Sequence, residues 1–341
     1  MKAMHLHQII DLSKERAPLR LVDIPVPMPA ELEVLLKISA CGVCHTELDE
    51  IEGRTPPPVL PVIPGHQVVG RVVEVGKKVT GFKKNDRVGV GWIYSSCGKC
   101  EYCRQGLENL CPDFKATGRD VNGGYAEYMT ADANFVYPIP SFYSDAEACP
   151  LFCAGAIGYR SLHLSNLKEG QTLGLTGFGA SAHLVLKLVR YKLPDVKVYV
   201  FARSERERDF ALELGAAWAG DIGKKPPDLL HAIIDTTPVW KPVVKSLENL
   251  RPYGRLVINA IRKEDFDKAY LQKLSYPEHL WMEKEIKSVA NVAKDDISEF
   301  LKLAAEAGIR PEIQEYSLED ANRVLIEVKR GKIRGAKVLV N

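Results

Sequence analysis

From the N-terminus to about residue 150, apolar positions come in short runs cut by glycine and proline: LEVLLKI (32–38), VVGRVVEV (68–75) and DRVGVG (86–91). Runs of this length and content predict strands. TPPPVLPVIPG (55–65) predicts an ordered loop, because proline supplies no donor to a sheet ladder. Beyond residue 150 the period changes. The apolar run TLGLTG (172–177) is followed by the helix-period segment ASAHLVLKLVRYK (180–192). VKVYVFA (196–202) is followed by the charged helix SERERDFALELG (204–215), and HAIID (231–235), GRLVINA (254–260) and EIKSVA (285–290) read as buried strands. Alternation of this kind predicts parallel βαβ units. A last helix, DDISEFLKLAAEAG (295–308), and a last strand, GAKVLV (335–340), close the chain. The pattern predicts an α/β protein. A β-rich domain (1–153 and 291–341) receives a doubly wound, parallel-sheet, dinucleotide-type domain (154–290) as an insertion.

A length of 341 residues agrees with two domains. The 46 basic and 44 acidic residues leave a net charge of +2, which argues against nucleic acid or an anionic membrane as partner. There is no apolar stretch of about 18 residues to span a bilayer. MKAMHLHQII runs into polar DLSKER without a signal-peptide core, so the expected location is the cytoplasm. Reducing conditions there make clustered cysteines metal ligands or catalytic groups before disulfides.

Four of the eight cysteines lie in CGKCEYCRQGLENLC. Cys97, Cys100, Cys103 and Cys111 have the spacing C-x2-C-x2-C-x7-C, which suits one tetrahedral Zn²⁺. Four sulfurs would fill its coordination sphere, so the site is structural: it folds a loop too short for its own core. An iron–sulfur cluster, disulfides and a nucleic-acid-binding zinc ribbon are the alternatives. EYCRQGLENL carries two acids and one arginine, a poor surface for nucleic acid.

Cys41, Cys44, Cys149 and Cys153 remain, with His66 in IPGHQVVG. Taken singly, each could be a small buried residue. Taken in order, CGVCHTEL, PGHQVVGRV, the four-cysteine loop, GGYAEY, LFCAGAIGYR, GFGASA and GKIRGAKVLV resemble the zinc-dependent alcohol dehydrogenases of the medium-chain dehydrogenase/reductase superfamily. That resemblance spans essentially the whole chain. It implies a GroES-like catalytic domain and a Rossmann domain. It also implies a catalytic zinc on Cys44, His66 and Cys153, with Cys41 and Cys149 matching no ligand position. Such a Cys₂His set leaves one position for the substrate oxygen, on which the metal acts as a Lewis acid. By the same resemblance Thr46 bonds the substrate oxygen, Glu47 orients a ligand such as His66, His45 lies near the cofactor pyrophosphate and Trp92 lines the substrate pocket. Arg334 reaches the pyrophosphate from the C-terminal segment.

Two positions depart from the family pattern. Gln67 follows His66 where a glutamate is usual. Asp49 stands where many members end a proton relay with histidine. An exposed aspartate titrates near pH 4, far below histidine, so alcohol oxidation is expected to be slower than carbonyl reduction at neutral pH.

Gly177, Phe178, Gly179, Ala180 and Ala182 form a G-x-G-x-x-A turn between a strand and a helix, the context of a pyrophosphate cradle. The next strand ends VYVFARSERER. Ala202 takes the place of the acid that binds the ribose of NAD, and Arg203 and Ser204 suit a 2′-phosphate. The expected cofactors are therefore two zincs per chain and NADP(H) in preference to NAD(H). The expected activity is hydride transfer between NADP(H) and an alcohol paired with an aldehyde or ketone, in a homotetramer. The alternatives are the same reaction with NAD(H) and a weakly active nucleotide-binding sensor.

Overall fold

The computed structural model describes residues 1–331 and 335–341. Contacts divide the chain into two compact units, Met1–Cys153 with Val292–Asn341, and Ala154–Asn291.

The first unit opens with an antiparallel pair, β1 (Lys2–Leu6) and β2 (Leu19–Asp23). The long strand β3 (Glu33–Val43) leads into helix α1 (His45–Ile51), and β4 (Gln67–Val75) and β5 (Arg87–Val90) follow. Strand β6 (Ile93–Ser95), the helical turn α2 (Glu101–Arg104) and β7 (Lys115–Ala116) frame the cysteine loop. Next come β8 (Tyr128–Asp132), β9 (Val136–Pro138) and the short helix α3 (Asp145–Ala148).

The second unit runs α4 (Ala154–Ser165), β10 (Thr172–Thr176), α5 (Ala180–Lys192), β11 (Lys197–Phe201), α6 (Glu205–Glu213) and β12 (Trp218–Gly220). It continues with β13 (Leu230–Asp235), α7 (Trp240–Glu248), β14 (Leu250–Ile258) and β15 (Glu285–Ser288). Its strands pair in parallel, in the order β12-β11-β10-β13-β14-β15. That is the Rossmann order 3-2-1-4-5-6, with the topological switch point between β10 and β13. Every residue of β10 is buried, as a central parallel strand covered on both faces requires.

The chain then returns to the first unit as α8 (Lys294–Glu306), β16 (Ile313–Ser317), α9 (Ala321–Lys329) and β17 (Ala336–Val340). Strand β17 pairs with β3 and completes the sheet β16-β17-β3-β4-β5-β9, with β8 also on β3. This is the GroES-like body. Leu36, Val68 and Val88 lie fully within its core, and Leu36→Ala would cost about 2–5 kcal/mol.

Strand β3 runs past Ile38 through the small residues SACGV, which hydrophobic periodicity does not mark as a strand. Loop 55–65 carries no strand of its own. No helix among the described residues is long and apolar enough to cross a membrane.

Candidate metal and cofactor sites

Cys44 follows β3 and caps α1. Its Sγ accepts from Thr46 N at 3.4 Å, and its backbone N donates to Glu47 Oε2 at 2.8 Å. Two residues of the expected site thus become a helix cap that fixes the sulfur. His66 follows Gly65, whose φ of 99° lies in the left-handed region; a Cβ there would stand 2.4 Å from Tyr125 Cδ1. The close turn delivers His66 to the head of β4, only 1% exposed. Cys153 closes the first unit at the end of a 3₁₀ turn, Cys149–Phe152.

One donor atom each from Cys44, His66 and Cys153 lie within 4.8 Å of one another. Cys44 Sγ stands 3.7 Å from His66 Nε2. A tetrahedral ion bound at about 2.0–2.3 Å needs its donors roughly 3.5–4 Å apart, so this set fits a zinc ion. The charges agree. Cys153 and burial push the Cys44 thiol well up. Burial alone would push the His66 imidazole down, but the Glu47 carboxylate and the Cys44 sulfur outweigh it and raise it well above its ordinary value. A cluster that favours an added positive charge in this way suits a bound cation, which would hold the thiols ionised.

Glu47 is fully buried, with Oε1 2.7 Å from His66 Nδ1. That contact leaves Nε2 as the ring's ligand atom, the usual role of a carboxylate behind a metal-binding histidine. Cys97, Cys100, Cys103 and Cys111 also gather within 4.8 Å, with Cys97 and Cys103 sulfurs 4.0 Å apart. Backbone N–H groups of Lys99 and Cys100 lower the Cys97 thiol to about 6, as suits a metal thiolate. Cys41 and Cys149 are buried and belong to neither set.

Thr46 is partly exposed and His45 is exposed at the start of α1. Trp92 packs against Phe114 with ring centroids 4.9 Å apart and planes tilted by 42°, and the Arg119 guanidinium lies 5.3 Å from the Trp92 ring centroid. Gln67 is buried, its amide lying over Gly42.

Asp49 is a correction. It is 4% exposed, not open to solvent. Arg54 Nε donates to its Oδ1 at 2.7 Å, and Arg54 N and Thr55 N bond its carbonyl. The turn after α1 closes over it, so the carboxylate is not the exposed one that was expected. Sequence reasoning also passed over Glu50. It is 1% exposed. Burial and Glu47 push it well up, against His66, Arg119 and Trp92. The signal was its i+3 spacing from Glu47, which puts both carboxyls on one helix face.

In the second unit, Gly177 has φ of 79°, and a Cβ there would stand 2.7 Å from Thr236 Oγ1. Gly179 caps α5, and a Cβ on it would meet nothing within 4 Å. Its bare backbone leaves open space at a helix N-terminus, which fits an approaching pyrophosphate. Phe178 and Ala182 are buried behind the turn, and Ala180 begins the helix. Ala202 is buried just past β11, and Arg203 is exposed. Ser204 caps α6, and its hydroxyl donates to Glu207 Oε2 at 2.8 Å. The capping box folds Glu207 back over Ser204. Arg334 lies outside the described residues.

Residues 30–141 match the alcohol dehydrogenase GroES-like domain family. The chain is 43% identical over 331 residues to a probable alcohol dehydrogenase, AdhA, of Mycobacterium tuberculosis, covering 96% of this chain and 94% of that one. An alcohol dehydrogenase of Geobacillus stearothermophilus is 35% identical over 335 residues, covering 94% and 95%. Among solved structures, a cinnamyl alcohol dehydrogenase of Sorghum bicolor superposes with a TM-score of 0.87 at 28% identity, covering 99% and 97%. Similarity over nearly the full length of both chains places this protein among the zinc-type medium-chain alcohol dehydrogenases, oxidoreductases that act on small-molecule alcohols.

Proposed function

We propose that the protein is a zinc-dependent dehydrogenase and carbonyl reductase that exchanges hydride between NADP(H) and an alcohol paired with an aldehyde or ketone. One observation carries this reading: the three-donor set Cys44, His66 and Cys153, with His66 backed by buried Glu47. Three protein donors leave a fourth position, whereas the four-cysteine loop leaves none. Bound at the three-donor set, zinc supplies Lewis-acid polarisation of an alcohol or carbonyl oxygen. Glu47 holds the His66 ring and its tautomer. Thr46, fixed beside Cys44 by the cap, is the group assigned to the substrate hydroxyl. The bare turn at Gly177 and Gly179 receives the pyrophosphate. Trp92, packed against Phe114, supplies an aromatic wall for the substrate.

Preference for NADP(H) rests on Arg203, exposed beside Ala202 with no acid in its place. A second reading, NAD(H), is favoured by Glu207, which occupies the Ser204 hydroxyl with a carboxylate. Steady-state kinetics with both cofactors decide between them. On the first reading kcat/KM is higher with NADPH, and Arg203→Ala raises its KM about tenfold, the loss of one charge-assisted hydrogen bond. A higher kcat/KM with NADH overturns that preference. Absence of turnover with either cofactor, in zinc-loaded protein, overturns the enzymatic reading in favour of a nucleotide sensor.

A homotetrameric assembly is part of this reading. What supports association is the edge of β15, unpaired among the described residues, where Ile286 is exposed near exposed Tyr253, Trp281 and Met282; it offers one interface of the kind that joins two chains, and a tetramer needs a second. Light scattering on the purified protein reads the subunit number.

A further inference from the structure

Asp235 ends β13, level with Thr176 of β10 on one side and Ile258 of β14 on the other. It therefore sits at the carboxyl edge of the sheet, beside the switch point, where doubly wound sheets bind their ligands. Its side chain is fully buried and that of Lys263 is 7% exposed. Asp235 Oδ1 accepts from Thr176 Oγ1 at 2.6 Å, Thr237 Oγ1 at 2.8 Å and Thr237 N at 3.2 Å. Oδ2 takes the Lys263 ammonium, which also donates to Thr237 O at 2.6 Å and Val239 O at 3.4 Å. Every ammonium proton has an acceptor. Lys263 is thereby neutralised and spent within the protein, with no charge to spare for an anion.

What the pair does is hold loops together. Thr176 ends the strand that enters the glycine turn, Thr237 and Val239 belong to the loop after β13, and Lys263 belongs to the loop after β14. Thr236, inside the clamped loop, bonds Thr176 O twice, through N and Oγ1, each at 2.9 Å. That same Oγ1 is the atom a Cβ on Gly177 would strike. Asn259 N bonds Asp235 O at 2.7 Å, and Asn259 Nδ2 reaches Ser181 Oγ on α5 at 3.4 Å. The glycine turn thus rests on a loop whose shape one buried ion pair sets.

We propose that Asp235 and Lys263 are positioning residues for the nicotinamide cofactor, clamping the loops after β10, β13 and β14 so that the Gly177–Gly179 turn is held in its binding shape. This rests on the cofactor reading above. Displacement of a binding turn by about 1 Å is enough to cost up to a hundredfold in function.

The test uses the zinc-loaded enzyme, with binding of NADPH and NADH followed by nicotinamide fluorescence well below each variant's Tm. Lys263→Met strands a buried carboxylate under the turn. Asp235→Asn/Lys263→Met removes both charges, so it recovers thermal stability without restoring the clamp. The proposal expects a cofactor Kd raised about tenfold or more in both variants, with cofactor KM rising more than kcat falls and alcohol KM little changed. A purely structural pair predicts that the double variant recovers cofactor affinity along with Tm, and that result overturns the proposal. If the double variant does not fold, Thr176→Val removes one bond to Asp235 without stranding a charge. A Kd raised about threefold there supports the clamp, and an unchanged Kd overturns it. Wild-type protein that binds neither NADPH nor NADH overturns the cofactor reading itself; wild-type binding with unaltered variants overturns only the clamp.

Discussion

Replacing Glu47 by glutamine keeps the side chain's size and removes its charge. Its two carboxylate oxygens serve two buried partners: Oε2 takes the Cys44 backbone N–H at 2.8 Å, and Oε1 faces His66 Nδ1 at 2.7 Å. Glutamine has one oxygen for the two. If it stays with the cap, its NH₂ faces the imidazole; if it serves the imidazole, the cap N–H is orphaned. Either way one buried donor loses its acceptor, at about 1–3 kcal/mol. At about 1.4 kcal/mol per decade, that is roughly a 5- to 150-fold change in an equilibrium constant. It falls on one of two ligands, His66 or Cys44, in line with the about 10- to 100-fold losses seen when such backing carboxylates are changed. The assay is zinc release to a chromogenic chelator, read beside kcat/KM for alcohol oxidation. Glu47→Gln should release one of two zincs about tenfold or more faster, while the four-cysteine zinc leaves at the wild-type rate. Zinc release and kcat/KM both within about twofold of wild type would refute the argument, since the orphaned donor could not then be coupled to the metal.

Three further outcomes follow from other parts of the chain. Cys100→Ser opens the four-sulfur set and should lower Tm by several degrees or more while changing the intrinsic hydride-transfer rate little, as scanning calorimetry and single-turnover kinetics would show. Asp49→Asn breaks the pair with half-buried Arg54 and should cost about 1–3 kcal/mol in urea unfolding, with the pH profile of alcohol oxidation unaltered; a lost alkaline limb would return Asp49 to the relay. Glu327 is lowered below 4.5, first by its hydrogen bond from Lys337. Its contribution is therefore fully present above the unfolded carboxyl value and is lost as pH falls through the lower folded one. Urea melts of wild type and Glu327→Gln should differ at pH 7 and converge as the pH drops well below 4.5.

Strands and the clustering of the four-cysteine loop were legible because each rests on a local rule, whereas the grouping of Cys44, His66 and Cys153 came from the family resemblance. Thiol spacing fixes the four-cysteine loop, and the change from short β runs to strand–helix alternation marks the Rossmann sheet. Other features depend on where a turn sends a side chain back. Asp49 looked exposed in HTELDEI, but Arg54, five residues on, folds over it. Glu207 lies in the charged helix 204–215, and the Ser204 cap draws its carboxylate back to the helix start. Glu50 hides on the face of α1 that also holds Glu47, and only burial of that face distinguishes it from a solvated glutamate. Asp235 and Lys263 are 28 residues apart, joined by the parallel pairing of β13 and β14, and no sequence period links them.

Metal analysis of wild type and Cys153→Ala, with turnover measured on the same preparations, tests the central claim most directly. Three donors at one set and four at the other predict two zincs per wild-type chain. They predict one zinc in Cys153→Ala, which stays folded, keeps the four-cysteine metal and shows no alcohol-dependent reduction of the cofactor. A wild-type chain that binds a single zinc, or a Cys153→Ala variant that retains turnover, would contradict the account.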